Sequence, residues 1–332
     1  MNFERSAMHR SASSISADPG QRRAIVLAGG EGTRLRPFIR ESLGSDRPKQ
    51  FCSFWNDETL LEYTLRRVSA IVPPENVSIV IGKGQAKYLK DLDLSAFSGR
   101  VLEQRVSKGT GGAVFLALAH AASVNPGATV LIVPTDHFVI PEDRFIRHLE
   151  RLFSLTERHP HRILLLGAKP DRAETEFGYI QPGRPLRNSM DFSNAVRDIE
   201  EFREKPSAVE AVRLVQDGAL WSTMVTAAKL GTLWSIGKQA LPEPMESFAR
   251  LYRHLSTHSP LRPRQCETER QILQSIPPFD FSRDLISHSI GRSAVLALED
   301  VYWSDLGRED WLTEAVELQK QFERPVGGLL SA

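Results

Sequence analysis

A short segment of the chain combines bare backbone with clustered positive charge: AIVLAGGEGTRLRPFIRES, residues 24–42. Three glycines leave backbone N–H groups open to a ligand: Gly29, Gly30 and Gly32. A hydroxyl group and three cations follow at Thr33, Arg34, Arg36 and Lys49. This set of donors favours an anion with several oxygen atoms, such as a phosphate chain.

Three phosphate-binding motifs can be compared with this segment. A dinucleotide fingerprint needs G-x-G-x-x-G, and GGEGTR lacks the last glycine, whereas a P-loop needs a Gly-Lys-Ser/Thr sequence that does not occur here. The nucleotidyltransferase pattern G-G-x-G-T-R-L-x-P is met at every position by GGEGTRLRP, and Lys49 follows Arg34 by fifteen residues. A glycine-rich turn with solvated arginines would explain the glycines but not the whole string.

The string resembles the sugar-1-phosphate nucleotidyltransferases, and RPKQF at residues 47–51 is most similar to the mannose-1-phosphate guanylyltransferase branch. The similarity runs in order along residues 24–307. It implies an α/β chain with a three-layer α/β/α Rossmann-like nucleotidyltransferase fold and a mostly parallel central mixed sheet. About 25 residues follow Gly307, so we expect no C-terminal β-helix of the kind that many relatives carry.

The resemblance implies a nucleotide site and a catalytic set. The nucleotide-binding residues would be Gly29, Gly30, Gly32, Thr33, Gln104, Gly109 and Thr110, and the catalytic cations would be Arg34, Lys49 and Lys205. Thr110 is also expected to cap the helix that starts there. Gln104 stands where uridylyl- and thymidylyltransferases carry a base-reading glutamine, whereas guanylyltransferases usually have proline.

The resemblance also implies a Mg²⁺ cofactor. Asp136, after the strand LIVPT, and Asp305, in VYWSDLG, match the family's metal ligands, with Asp284 as a secondary candidate. Mg²⁺ takes oxygen ligands and usually only one or two from the protein. For His137, a hydrogen-bonded structural role and direct ligand contact both stay open.

The sugar phosphate would bind to Gly178, Glu204, Lys205 and Ser222. EFREKP at residues 201–206 resembles the family's F-x-E-K-P, in which the acid accepts from sugar hydroxyls and the lysine holds the phosphate. Ser222 replaces the asparagine of most relatives, which leaves the sugar open. We expect residues 223–225 to be buried strand without ligand contact.

The implied reaction joins an NTP, with GTP expected, to a sugar 1-phosphate, with mannose 1-phosphate expected, and releases pyrophosphate for nucleotide-sugar biosynthesis. Two alternatives stay open. Gln104 favours UTP or dTTP with glucose 1-phosphate. Ser222 and Ser289, which replace family polar residues, favour a catalytically silent regulatory homologue that binds a nucleotide sugar.

The elements that position these residues follow from hydrophobic patterning. Continuous apolar runs predict buried strands at 23–28, 77–81, 129–133 and 162–167. Helices are predicted at 59–72, with Arg66 and Arg67 opposite its apolar side, and at 142–157. More mixed strands are predicted at 177–183, 195–206, 222–228 and 293–300, and helices at 231–275 and 308–323. Alternating strands and helices indicate a mostly parallel sheet covered on both faces.

Composition limits the partners of the chain. The 332 residues carry a formal net charge of +1, which argues against general binding to nucleic acid or a membrane surface. Cys52 and Cys266 lack metal-ligand spacing, so we expect reduced thiols and a cytoplasmic protein. Residues 1–20 are expected to be a disordered tail, 21–307 the catalytic domain and 308–332 a C-terminal helix and tail. The oligomeric state stays open, with a homodimer as one option.

Overall fold

The structure is a computed structural model that describes residues 21–186, 196–257 and 263–323, without the side chains of 263–266 and 323. The predicted tail at 1–20 and the thiol of Cys266 therefore lie outside the described part. Cys52 is buried and forms no disulfide within the described residues.

The described strands and helices alternate through most of the chain. The strands are β1 Arg22–Ala28, β2 Val77–Gly82, β3 Arg100–Gln104, β4 Thr129–Pro134, β5 His137–Ile140, β6 Ile163–Ala168, β7 Gly178–Pro185, β8 Val196–Glu204, β9 Leu220–Lys229, β10 Ser293–Leu298 and β11 Tyr302–Asp305. The helices are α1 Arg36–Leu43, α2 Leu60–Ser69, α3 Gly109–Val124, α4 Glu142–Arg158, α5 Ala208–Gln216, α6 Leu230–Ala240, α7 Pro242–Thr257, α8 Pro263–Gln274 and α9 Glu309–Glu323. Each strand and helix predicted from the hydrophobic pattern is confirmed within a few residues.

Nine strands of the described chain form one mixed sheet in the order β3-β2-β1-β4-β9-β6-β10-β8-β7. Strands β1 to β4 are mutually parallel, as are β6 and β10, whereas β9 and β8 run in the opposite direction. The predicted mostly parallel mixed sheet is confirmed. The carboxyl ends of β1, β2 and β4 meet at one edge, where open α/β sheets bind their ligands.

Side chains from alternate positions of the sheet enter two separate cores. Ala24 and Val26 of β1 pack in the core that includes α2 and α4, whereas Ile25 packs in the core that includes α3 and α7. This alternation is the two-residue period of a strand that is buried on both faces. The three-layer α/β/α prediction is thus confirmed, and no β-helix occurs in the described residues.

A small separate sheet pairs β5 with β11, and it determines the position of both predicted metal ligands. The strands are antiparallel, with Asp305 opposite His137 and Tyr302 opposite Ile140. The N–H group of Leu306 also donates to the carbonyl oxygen of Asp136 at 2.9 Å. The hydrophobic pattern did not predict this four-residue pairing.

Two local predictions were wrong. Thr110 does not cap α3, because the helix begins after Lys108 without a side-chain cap, and the Thr110 hydroxyl bonds elsewhere. Arg67 is not on a solvated side of α2: it is 2% exposed, with its guanidinium 4.4 Å from the ring centre of Tyr63. Its Nη2 also donates to the carbonyl oxygen of His137 at 3.3 Å, so Arg67 supports β5 from within the core.

In the described ranges, no helix combines the length and apolar character that a membrane span requires.

Candidate active site

A cavity of about 460 Å³ opens at the carboxyl ends of the parallel strands. It is lined by eight of the residues predicted to form the site: Gly29, Gly30, Gln104, Gly109, Thr110, Asp136, Ser222 and Asp305. The lining also includes apolar and aromatic side chains at Leu27, Val80, Ala113, Phe177, Met224 and Trp303. A concave apolar pocket with a few convergent polar groups is the usual form of a small-molecule site.

The glycine loop leaves β1 and turns back against the segment that carries Lys49. Gly32 has a φ of +61°, a left-handed conformation in which side chains are strained, and a Cβ there would lie 3.3 Å from the backbone nitrogen of Lys49. A Cβ at Gly29 would lie 3.3 Å from the backbone nitrogen of Gly82 in β2. The glycines therefore allow close packing of the loop as well as access to its backbone.

Two buried glutamines hold the carbonyl groups of this loop. Gln50 Nε2 donates to the carbonyl oxygens of Ala28 at 2.6 Å and Gly30 at 2.8 Å. Gln85 Nε2 donates to the Gly30 oxygen at 3.2 Å, while its Oε1 accepts from the N–H of Gly82 at 2.8 Å. Sequence reasoning missed both residues; the signal for Gln50 was its position beside Lys49 in PKQF.

Lys49 joins the two predicted metal ligands. Its Nζ lies 2.9 Å from Asp136 Oδ2 and 3.5 Å from Asp305 Oδ1, and it donates to the carbonyl oxygen of Leu306 at 2.7 Å. The Lys49 side chain is 11% exposed, whereas the two carboxylates are 30% and 27% exposed. Residues separated by more than 250 positions in sequence thus share one ion-pair cluster.

The cluster shifts the pKa values of its members in different directions. Burial lowers the pKa of Lys49, but the charges of Asp136 and Asp305 outweigh it and raise that pKa overall. Burial raises the pKa of Asp136, yet Lys49 and His137 together bring it down to about 2. Burial, with the charge of Asp136, raises the pKa of Asp305 to about 6 despite Lys49. At neutral pH the site holds one ammonium between two carboxylates.

His137 lies beside this cluster as a neutral ring. Burial lowers its pKa to about 4, and its ring centre is 5.1 Å from that of Trp303 in an edge-on contact. Its Nδ1 is buried and has no hydrogen-bond partner among the described residues. His137 also lines the cavity, where its contact with a ligand stays a prediction.

The donor set at Asp136 and Asp305 fits Mg²⁺. The ammonium of Lys49 already lies between the two carboxylates, so both can reach one cation. Within the described residues no group of three or more His, Cys, Asp or Glu side chains could hold a metal, and Mg²⁺ commonly takes only one or two carboxylates plus substrate phosphates. Asp284 is engaged elsewhere, because its Oδ2 accepts from the N–H of Asp280 at 2.7 Å and its Oδ1 from Arg283 at 2.8 Å.

The start of α3 lines the opposite side of the cavity. Gln104 Nε2 donates to the carbonyl oxygen of Gly109 at 3.2 Å. The Thr110 hydroxyl donates to Asp280 Oδ2 at 2.9 Å and accepts from the N–H of Phe281 at 2.9 Å. A Cβ at Gly109 would clash with the carbonyl oxygen of Phe279. Close packing against 279–281 therefore accounts for part of this glycine-rich segment.

The predicted sugar-phosphate residues converge where β7, β8 and β9 meet. A Cβ at Gly178 would lie 2.8 Å from Glu204 Oε2 and 3.3 Å from the Cβ of Ser222, so a larger residue there would displace the Glu204 carboxylate. Burial and the charge of Asp280 raise the pKa of Glu204. Lys205 has a φ of +47°, and its N–H donates to the carbonyl oxygen of Phe177 at 3.1 Å, which turns the chain at the end of β8.

The second cation of the glycine loop, Arg34, pairs with Glu176, which sequence reasoning did not single out. Thr33 and Arg34 are exposed beside the cavity. The signal for Glu176 was its position two residues before Gly178 in EFGYI. Lys49 and Gly178 do not line the cavity themselves. The Lys49 ammonium contacts Asp136, and Gly178 lies beside Ser222, both of which line it.

In sequence, the chain is similar to mannose-1-phosphate guanylyltransferases. The chain is 27% identical over 201 residues to mannose-1-phosphate guanylyltransferase 2 of Escherichia coli O157:H7, which covers 59% of this chain and 40% of that protein. It is 24% identical over 294 residues to mannose-1-phosphate guanylyltransferase RfbM of Salmonella typhimurium, covering 85% of this chain and 56% of that protein. The chain thus spans about half the length of these curated relatives.

A solved structure agrees with the sequence relatives. The crystal structure described as mannose-1-phosphate geranyltransferase from Thermus thermophilus superposes with a TM-score of 0.71 at 30% identity, and the match covers 86% of this chain and 76% of that chain. The family model described as Nucleotidyl transferase matches residues 23–321. The chain therefore belongs to the nucleotidyl transferase family, as the glycine loop and the positions of its acidic residues predicted.

Proposed function

We propose that this protein transfers a nucleotidyl group from an NTP to a sugar 1-phosphate and releases pyrophosphate. One observation carries the proposal: Asp136 and Asp305 converge on Lys49 at the cavity that the glycine loop borders. Family membership supports the class of reaction. The names of the relatives support mannose 1-phosphate and GTP as the specific substrates.

In the proposed reaction, a phosphate oxygen of the sugar 1-phosphate attacks the α-phosphorus of the NTP. The new P–O bond forms as the bond to the bridging oxygen breaks, and pyrophosphate leaves with that electron pair. The attacking oxygen needs no general base, because a phosphate monoester has its second pKa at about 6. Catalysis then depends on orientation and on neutralisation of charge.

Each group of residues in the site would have its own role in this reaction. The glycine-loop amides with Thr33 and Arg34 would hold the triphosphate, and Lys49 would stabilise charge that develops on it. Asp136 and Asp305 would hold Mg²⁺, which when bound supplies positive charge shared by the phosphate groups.

The opposite side of the cavity would hold the base and the sugar. Gln104, Gly109 and Thr110 line the part proposed for the base, while Gly178, Glu204 and Ser222 would contact the sugar. Lys205 would align the attacking phosphate.

Gln104 favours a second candidate, transfer from UTP or dTTP to glucose 1-phosphate. Its side chain lines the cavity and its amide is already fixed by the Gly109 carbonyl, so it is oriented for contact with a base. Ser289, which suggested a silent homologue, is buried and its hydroxyl donates to the Ile286 carbonyl at 3.0 Å. Because this hydrogen bond gives Ser289 a structural role, Ser289 no longer supports the interpretation as a catalytically silent homologue.

A panel of four NTPs against mannose and glucose 1-phosphates tests the proposal. We expect Mg²⁺-dependent release of pyrophosphate with at least one pair, and the preferred pair identifies the substrates. Asp136→Asn and Asp305→Asn should each lower kcat roughly 10²- to 10³-fold, because charge neutralisation at the reacting phosphates is lost. Absence of pyrophosphate release with every pair from a folded protein would contradict the enzymatic assignment.

A further inference from the structure

The ammonium of Lys49 uses all of its hydrogen-bonding capacity within the protein. An ammonium has three N–H donors, and Lys49 Nζ has three acceptors: Asp136 Oδ2 at 2.9 Å, Asp305 Oδ1 at 3.5 Å and the Leu306 carbonyl at 2.7 Å. In this arrangement the Lys49 ammonium is directed at Asp136 and Asp305. Its role toward a phosphate chain therefore requires the side chain to leave these acceptors.

The backbone of Lys49 is fixed on the side of the glycine loop. It follows Pro48 at the start of a 3-10 turn at Lys49–Phe51, and its nitrogen packs against Gly32. The side chain thus begins beside the phosphate-binding backbone and ends between the carboxylates. Rotation about its side-chain bonds is enough to move the charge between the two sites, because the four-carbon stem of lysine is flexible.

We propose that Lys49 is an exchangeable internal cation, which occupies the place of the divalent ion between Asp136 and Asp305 until a polyphosphate draws it toward the glycine loop. This inference rests on the proposed function for the identity of the two ligands. Two cations cannot share these carboxylates without strong repulsion. The divalent ion alone therefore competes with Lys49, whereas the ion and the polyphosphate together do not.

The proposal predicts a reciprocal coupling between the two ligands. Polyphosphate raises the affinity for the metal by the same factor by which the metal raises the affinity for polyphosphate. Arg34 follows the same pattern, since its guanidinium pairs with Glu176. Lys49 and Arg34 are then both held by acidic side chains, whose place the substrates would take.

The direct test is the affinity for Mn²⁺ alone, measured by electron paramagnetic resonance without any substrate. Removal of the competing ammonium in Lys49→Met should lower the Kd for Mn²⁺ by about tenfold or more, and Lys49→Arg should keep the weak wild-type affinity. If Lys49→Met does not fold, Lys49→Gln replaces it, because the amide can still donate to the Leu306 carbonyl. Lys83→Met removes another lysine that lines the same cavity and should leave the Kd unchanged.

A second titration measures the coupling with inorganic pyrophosphate, with the manganese bound to free pyrophosphate counted in protein-free solutions. Wild type should bind Mn²⁺ about tenfold or more tightly when pyrophosphate is present, and Lys49→Met should lose most of that gain. A folded Lys49→Met or Lys49→Gln variant that binds Mn²⁺ as weakly as wild type, or more weakly, would overturn the inference. Because these titrations contain no sugar and no NTP, their failure is separate from failure of the substrate panel.

Discussion

At the scale of single residues, the geometry of the glycine loop depends on side chains that do not line the cavity. A loop that offers its N–H groups to an anion must turn its carbonyl groups the other way, and buried carbonyls need donors. Gln50 and Gln85, 2% and 3% exposed, supply those donors to Ala28, Gly29 and Gly30. The proposed anion binding and the folding of the loop therefore depend on the same hydrogen bonds.

Replacing Gln50 should affect both stability and nucleotide binding. Gln50→Leu keeps an apolar side chain but leaves the buried Ala28 carbonyl without its side-chain donor, while Gln85 still donates to Gly30. An unsatisfied buried acceptor costs about 1–3 kcal/mol. We expect that loss in urea unfolding, together with a KM for the NTP that rises more than the KM for the sugar phosphate. Gln216→Leu makes the same change at an exposed position of α5 and should alter neither. Equal increases in both KM values would show that Gln50 does not act through the loop.

At the scale of elements, β9 departs from a regular strand where it borders the cavity. Leu165 pairs with Thr226 and Gly167 with Ser222, so residues 223–225 lie opposite Leu166 alone. Thr223 Oγ1 donates to the carbonyl oxygen of Leu166 at 2.7 Å and so satisfies the acceptor that the bulge leaves free. Bulges of this kind re-aim side chains beside active sites.

The strained backbone conformation in this bulge is at Met224. It is a non-glycine residue with a φ of +61°, and it lines the cavity two residues after Ser222. Residues in this conformation cost on the order of 1–3 kcal/mol and persist where the surrounding structure fixes them. The predicted strand at residues 223–225 is confirmed, with Thr223 and Val225 buried, whereas Met224 is only half-buried.

Replacing Met224 should change substrate selection more than stability. In Met224→Gly the relief of backbone strain, about 1 kcal/mol, offsets part of the lost apolar contact, while the cavity gains room beside Ser222. We expect the ratio of kcat/KM between the best and the second sugar 1-phosphate to fall about tenfold. Met224→Leu keeps the bulk and should keep the ratio. An unchanged ratio in the glycine variant would remove Met224 from the sugar subsite.

How well the sequence predicts each strand depends on how much of that strand is buried. The continuous apolar runs predicted β1, β2, β4 and β6 because these central strands are covered on both faces. Strand β3 was missed because it lies at the edge of the sheet, where only Leu102 is buried. Pattern and resemblance predicted the glycine loop and both carboxylates. The contacts of Gln50 and the bulge at Met224 could not be predicted, since each depends on a partner distant in sequence.

At the scale of the whole molecule, the acidic pair exists only because distant segments close on each other. Strand β11 holds Asp305 and pairs with β5 directly after Asp136. Behind this small sheet, Leu312 and Ala315 of α9 pack with Phe138 and Leu306 in one buried cluster. We therefore expect α9 to stabilise the position of Asp305 relative to Asp136, although it contributes no side chain to the cavity lining.

A cavity in that cluster should weaken the whole fold and the acidic pair together. Leu312 is 1% exposed, and truncation of such a buried leucine to alanine costs about 2–5 kcal/mol. Leu312→Ala should show that loss in a single urea transition seen alike by tryptophan fluorescence and circular dichroism, and its affinity for Mn²⁺ should fall. Thr313→Ala changes the exposed neighbour on α9 and should shift stability by less than about 0.5 kcal/mol. Two separate transitions, with normal Mn²⁺ binding after the first, would mean that residues 308–332 form a unit of their own and that the acidic pair does not depend on it.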